Sequence, residues 1–173
     1  IIQIDAHADL RKSYEGFEQS HASIFYNVLE RVPQVEQIIQ VGVRDLSENE
    51  NDRINKDDRL MTFFDWQLKD EKFNGRNWHD QVVEIIAELP EHVYISFDID
   101  GLDPSLCTKS GTPVPGGLQF EEARYLLQYI ADSGKKIIGF DLCEVGNAEW
   151  DANVGARILW ELIVATQISI DMK

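Results

Sequence analysis

Apolar, β-branched runs of four to seven residues recur along the chain, separated by longer stretches with helical period. Residues 1–4 (IIQI), 38–43 (IIQVGV), 93–99 (VYISFDI) and 137–142 (IIGFDL) are nearly continuous in apolar character, as strands buried on both faces are. A weaker strand is predicted at about 60–64 (LMTFF). Helices are predicted near 20–31, 48–56, 78–89, 119–132 and 152–167. The last is the clearest, because Val154, Ile158, Leu159, Leu162, Ile163 and Ala165 form one broad apolar stripe. Strands alternating with helices imply βαβ crossovers, and hence an α/β fold: three αβα layers around a mostly parallel central sheet covered on both faces. The polar segment 44–58 reads as a solvated helix and turn. No internal repeat, linker or low-complexity segment interrupts the alternation, and 173 residues suit one domain or most of one. In such sheets, ligands collect at the carboxyl ends of the strands.

Charge narrows the partners. With 31 acids against 16 bases the net charge is −15, which repels a phosphate backbone and suits a small cationic substrate through long-range steering. No nucleic-acid partner is expected. Membrane insertion is not expected either, since no apolar run approaches the ~18 residues that span a bilayer. The two cysteines have no framework spacing, so a reducing cytoplasm fits better than a disulfide scaffold. The chain opens without Met, directly on an apolar strand, so upstream sequence is expected to precede it.

Three of the predicted strands end in acids. IIQI runs into Asp5-Ala6-His7-Ala8-Asp9, VYISF into Asp98-Ile99-Asp100-Gly101-Leu102-Asp103-Pro104, and IIGF into Asp141-Leu142-Cys143-Glu144. In an extended chain, residues two apart share a side. Asp5, His7 and Asp9 can therefore converge on one point, and so can Asp98 and Asp100. A lone Asp-x-Asp at a strand end is commonly only a turn or cap. Four carboxylates and an imidazole gathered at a buried sheet edge are harder to explain structurally, because unpaired anions repel and are costly to desolvate. Metal ions remove that difficulty. Oxygen-rich ligands with some imidazole suit Mn²⁺, with Fe²⁺, Co²⁺ and Zn²⁺ as alternatives, and four carboxylates suit two ions sharing bridging ligands better than one. Asp103, just before Pro104, is expected to brace its loop instead.

These motifs resemble those of the ureohydrolases: arginase, agmatinase, guanidinobutyrase and formimidoylglutamase. Asp5-Ala6-His7-Ala8-Asp9 is similar to their DAHxD motif, and Ser96-Phe97-Asp98-Ile99-Asp100-Gly101-Leu102-Asp103-Pro104 to their SFDxDxxDP motif. Gly111-Thr112-Pro113-Val114-Pro115-Gly116-Gly117 resembles their glycine-rich loop, and Ser20-His21-Ala22 and the region of Glu144 also match. The resemblance implies an arginase-like fold and two Mn²⁺ ions per subunit. Asp5 and Asp98 would bridge the ions, Asp9 would complete one coordination sphere, and His7 and Asp100 the other. It also implies attack of a bridging hydroxide on the guanidinium carbon, with Asp9 orienting the hydroxide. Glu144 would pair with the guanidinium, and His21 would shuttle the proton of the leaving amine while contacting the substrate. A homo-oligomer, trimer or hexamer, is implied as well. His79 and His92 match no motif and read as structural or solvent-exposed.

The chain departs from the family pattern at three places. A further histidine ligand, in a GGxHS-type motif, would fall before Ile1, so residues 1–173 are expected to be one catalytic domain that lacks its N-terminal strands. Arg11 stands where arginases tend to carry Asn, and Ser47 replaces the last acid of their R-D-x-D. Loss of that acid removes a partner for an α-ammonium group and favours agmatine, cleaved to putrescine and urea, over arginine. Tyr14-Glu15-Gly16-Phe17, Glu149-Trp150-Asp151 and Asn153-Val154-Gly155-Ala156-Arg157 point to the same branch. Arginase, guanidinobutyrase and formimidoylglutamase chemistry are the alternatives, with a non-catalytic metal-binding oligomer as the contrasting class.

Overall fold

A computed structural model describes residues 1–171. Five strands form one wholly parallel sheet: β1 (Ile2–Ile4), β2 (Ile38–Val41), β3 (Leu60–Phe63), β4 (His92–Asp98) and β5 (Lys136–Cys143), in the order β3-β2-β1-β4-β5. Six α-helices connect and flank them: α1 (Ile24–Arg31), α2 (Glu48–Ile54), α3 (Asp65–Phe73), α4 (Trp78–Ala87), α5 (Phe120–Asp132) and α6 (Glu149–Asp171). Short 3₁₀ turns at His21–Ser23 and Ile99–Gly101 lead into α1 and out of β4.

Period-two alternation decides what each strand buries. On β4, Val93, Ile95 and Phe97 are fully enclosed while Tyr94, Ser96 and Asp98 are half-buried. The enclosed set meets Ile2, Ile4, Ile39 and Val41 on one face of the sheet, packed against Leu68 of α3, Val82 and Ile85 of α4, Leu126 and Ile130 of α5, and Ile158 and Leu162 of α6. Each such side chain contributes about 1.5–3 kcal/mol by leaving water. The other face carries a smaller cluster, in which Ile38 and Leu60 meet Phe25 and Leu29 of α1.

Helices flank both faces, as expected of an αβα fold, and their coverage is unequal. Among the described residues, α1 and α2 shield the second face only over β1, β2 and β3. Over β4 and β5, Tyr94, Ser96 and Asp141 remain half-buried.

Two helices differ from the sequence reading for physical reasons. α3 was not predicted, since it buries only Asp65 and Leu68 and leaves Trp66 and Phe73 exposed, so no apolar stripe announces it. α2 lies where a solvated helix was expected, yet its Glu50 is only 3% exposed. That carboxylate accepts from the backbone N–H and hydroxyl of Ser47, at 2.8 and 2.7 Å, in a capping box that starts the helix.

Candidate metal centre

Chain order sets the location of the site. From β1 the chain moves outward through β2 to β3, whereas β4 leads the other way to β5. The crossovers that leave β1 and β4 pack on opposite faces, so the carboxyl ends of these neighbours frame a crevice, the switch point where open α/β sheets bind ligands. Both principal acidic motifs follow these two strands. Gly101 brings them together, because a Cβ there would stand 2.8 Å from the Asp5 nitrogen.

The structure gathers Asp5, His7 and Asp100 most tightly, with one potential ligand atom of each within 4.8 Å of the others. His7 Nδ1 lies 3.2 Å from Asp100 Oδ2 and 3.5 Å from Asp5 Oδ1. Backbone groups fix the two carboxylates. The His7 N–H donates to Asp5 Oδ1 at 2.6 Å, and the Ala6 N–H donates to Asp100 Oδ1 at 3.1 Å. Asp98 and Asp9 line the same cavity, of about 810 Å³, outside that tight trio.

Convergence is achieved by turns and not by the extended chain inferred from spacing. β1 ends at Ile4, and Asp9 adopts a left-handed conformation with φ of 54°. That turn presents the Asp9 carbonyl to the N–H groups of Phe25 and Tyr26 at the start of α1. Beyond β4, Asp98 Oδ1 accepts from the Asp100 N–H at 2.9 Å and caps the 3₁₀ turn that carries Asp100.

The electrostatics are unbalanced. Burial, reinforced by the charge of Asp5, pushes the Asp9 carboxyl up to about 8. Burial with Asp5 and Asp100 pushes Asp98 up to about 9, and Asp5 is raised chiefly by burial. Burial opposes charge on His7 too, but hydrogen bonds to Asp100 and Asp5 outweigh it and lift the imidazole to about 10. Asp100 alone is held low, because its contact with His7 overcomes its burial. Four acids thus share one imidazole. Hard divalent ions fit this donor set, supplying the positive charge that the side chains lack.

Of the other predicted site residues, His21 lies in the 3₁₀ turn before α1 and Glu144 just beyond β5 with φ of 59°; both line the cavity. The Tyr14 ring holds the His21 imidazole edge-on at 5.4 Å. A Cβ on Gly111 would fall 2.7 Å from Glu144 Oε2, so the glycine-rich loop runs directly beside this acid. Asp103 braces its loop as expected, accepting from the Ser105 N–H and hydroxyl at 2.9 and 2.6 Å. His79 packs at the surface on Tyr125 and Tyr129, and His92 is exposed.

Ser47, which stands where arginases tend to carry an acid, caps α2 and is not among the residues that line the cavity. Arg11 does line the cavity, 3.5 Å from Glu50 and over the Tyr14 ring. Sequence reasoning overlooked Asp45, whose Oδ2 stands 3.7 Å from His7 Nε2, and Thr112, whose hydroxyl donates to Asp100 Oδ2 at 3.3 Å. It also overlooked Gln3, although a glutamine inside the apolar run IIQI was a visible signal.

Comparison with known proteins bears on this geometry. The model of the family described as "Arginase family" matches residues 1–165. The N(1)-aminopropylagmatine ureohydrolase of Thermus thermophilus is 34% identical over 161 residues, 92% of this chain and 50% of that protein. The agmatinase of Pyrococcus horikoshii is 34% identical over 145 residues, 83% of this chain and 46% of that one. The crystal structure of agmatine ureohydrolase of Thermoplasma volcanium superposes with a TM-score of 0.76 at 24% identity, over 98% of this chain and 55% of that chain. The chain thus spans about half the length of the curated relatives it matches.

Proposed function

The chain belongs to the arginase family, and from that premise we propose that it carries the centre of a binuclear-manganese ureohydrolase that cleaves agmatine to putrescine and urea. One observation carries the proposal. Asp5, His7 and Asp100 converge at the switch point, with Asp9 and Asp98 beside them, in a cavity that also presents Glu144 and His21.

Asp5, His7, Asp9, Asp98 and Asp100 would hold the ions. Two Mn²⁺ ions there would supply the positive charge that makes a hydroxide nucleophile available near neutral pH. Asp9 then accepts a hydrogen bond from that nucleophile and orients it. Glu144 pairs with the planar guanidinium edge, a geometry that suits a carboxylate. His21, held edge-on by Tyr14, passes a proton to the leaving amine. Attack of hydroxide at the guanidinium carbon would give a tetrahedral intermediate; loss of its hydroxyl proton, with cleavage of the C–N bond to the amine that His21 protonates, would release urea.

A cationic substrate suits the cavity, which is lined by Asp45 and Asp141 beside the acids already named. A longer guanidino polyamine is the second reading, supported by the name of the Thermus relative and by the cavity volume of about 810 Å³. The proposal extends to a cytoplasmic homo-oligomer. Trp160 and Ile163 support the assembly, because α6 leaves them exposed. No helix among the described residues is long and apolar enough to cross a membrane.

The test uses the full-length protein loaded with Mn²⁺, with urea release followed on agmatine, N(1)-aminopropylagmatine and arginine side by side. Urea from agmatine is the expected result. Release from arginine alone would refute the substrate reading and keep the chemistry. Two bound ions with no urea from any guanidino compound would leave the non-catalytic class standing.

A further inference from the structure

Beneath the acids runs a second polar network, in a place where parallel sheets ordinarily keep only aliphatic side chains. Thr62, Gln40 and Gln3 stand in register across β3, β2 and β1. Gln3 is 1% exposed and Gln40 0%. The Thr62 hydroxyl donates to Gln40 Oε1 at 2.8 Å. Gln40 Nε2 donates to Gln3 Oε1 at 2.7 Å and to the Ala8 carbonyl at 2.8 Å. Gln3 Nε2 donates to Asp5 Oδ2 at 2.9 Å and to the His7 carbonyl at 3.1 Å.

The direction of this chain is forced. A backbone carbonyl can only accept, so the amide nitrogen of Gln3 must face His7 and that of Gln40 must face Ala8. Each amide oxygen is then left to receive the next donor, and the Thr62 hydroxyl must point inward. Every N–H and oxygen of the two side chains finds a partner, so both rotamers are locked. Parallel sheets form without such a row, since their interiors are ordinarily filled by aliphatic side chains. The inner end of the row supplies its reason. Both bonds from Gln3 and one from Gln40 fall on Asp5, His7 and Ala8, within the segment Asp5–Asp9 that carries three of the candidate metal ligands.

We propose that Gln3 and Gln40 are positioning residues of the metal centre: with Thr62 as the outer anchor, they clamp Asp5 Oδ2 and the His7–Ala8 backbone. The inference rests on the metal-centre reading above, but not on which substrate is turned over. Gln3 holds Oδ2 of the Asp5 carboxylate while the His7 N–H holds Oδ1, so both oxygens are fixed. Gln40 fixes the backbone from which Asp9 turns back into the cavity.

The experiment measures Mn²⁺ affinity of the full-length protein by competition with a chelating dye, the visible spectrum after Co²⁺ substitution, and the melting temperature of the metal-free form. Gln3→Met, which keeps volume and removes both donors, should weaken at least one Mn²⁺ site by about 10–100-fold and shift the Co²⁺ bands. Gln40→Met should follow with a smaller loss. Thr62→Val should give the smallest, and Thr62→Ser, which restores the donor, should return to the wild-type affinity. Thr62 is half-buried, so this last pair serves even where a glutamine variant fails to fold. Lower melting temperatures with unchanged affinity and spectrum would make the row structural only and overturn the proposal, as would a wild-type protein that binds no Mn²⁺. A wild-type protein that binds Mn²⁺ and loses it in Gln3→Met, yet releases urea from no guanidino compound, would sink the substrate reading and leave the positioning role intact.

Discussion

At the two ends of one sheet, aspartates meet opposite electrostatics. Before β3, Asp57 lies between two guanidinium groups: Arg59 Nη2 at 2.9 Å and Arg53 Nη2 at 2.8 Å. Hydrogen bonds from Arg59, with those of Arg53, hold its carboxyl down at about 2. Beyond β1 and β4, Asp9 and Asp98 are pushed up to about 8 and about 9 by burial and by one another's neighbours. The residue type is the same, and the balance of cations differs. An aspartate supplied with arginines finishes its electrostatics within the chain and stabilises it. A cluster supplied with a single histidine stays unbalanced within the chain, and perturbed carboxylates in a crevice mark a candidate functional site.

Substitutions at the two ends should therefore diverge in kind as well as size. Asp98→Asn should remove several kcal/mol of transition-state stabilisation, lowering urea release on the order of 1000-fold in a steady-state assay. The same change should raise the melting temperature of the metal-free protein, by roughly 2–4 °C for each kcal/mol of relieved burial and repulsion. A lower melting temperature in that form would contradict the account of the cluster. Asp57→Asn should do the reverse, costing about 1 kcal/mol in denaturant unfolding, once solvent screening is allowed for, and leaving Mn²⁺ affinity unchanged.

Acid should erase that second difference. The Asp57 carboxyl binds its proton less readily folded than unfolded, falling from 3.8 to about 2. Its contribution is complete above about pH 4 and is lost as pH falls through about 2, so wild type and Asp57→Asn should converge in stability there. Divergence on acidification would reverse the sign and discard the pairing. The smallest effect belongs to Ser47→Ala, which should cost about 0.5–1 kcal/mol through its lost cap. Its ratio of activity on agmatine to arginine should match wild type; a changed ratio would restore Ser47 to the substrate site.

The same contrast separates what could be read in the residues from what could not. Strands announced themselves because β1, β2 and β4 bury apolar side chains densely enough to write the pattern, while β5 carries a similar apolar run although only its Ile137 is buried. α3 was silent, because one buried leucine makes no stripe. Spacing grouped Asp5 and His7 with Asp9, and Asp98 with Asp100, whereas the tightest group is Asp5, His7 and Asp100. Period two assumes an extended chain, whereas Asp9 turns left-handed and Asp100 rides on a 3₁₀ turn. The contacts of Asp45 and Thr112 depend on loops meeting across the sheet, which no local pattern encodes. Ser47 marks a second limit: the motif position tells of a missing acid, whereas only the fold shows what the serine itself does, which is to cap α2.

One hydrogen bond at the switch point bears on how the molecule comes to exist at all. The Ala6 N–H and Asp100 Oδ1 that it joins are 94 positions apart in the chain. Each half can form helices and pair neighbouring strands early, but the acids come within reach of one another only when β1 docks on β4. Non-local pairings of this kind pay loop-closure entropy before any contact rewards them and so form slowly. In a refolding experiment, tight metal uptake should accordingly lag the recovery of helical signal. The ion would then report the last event of folding, the moment at which two separately organised halves become one molecule.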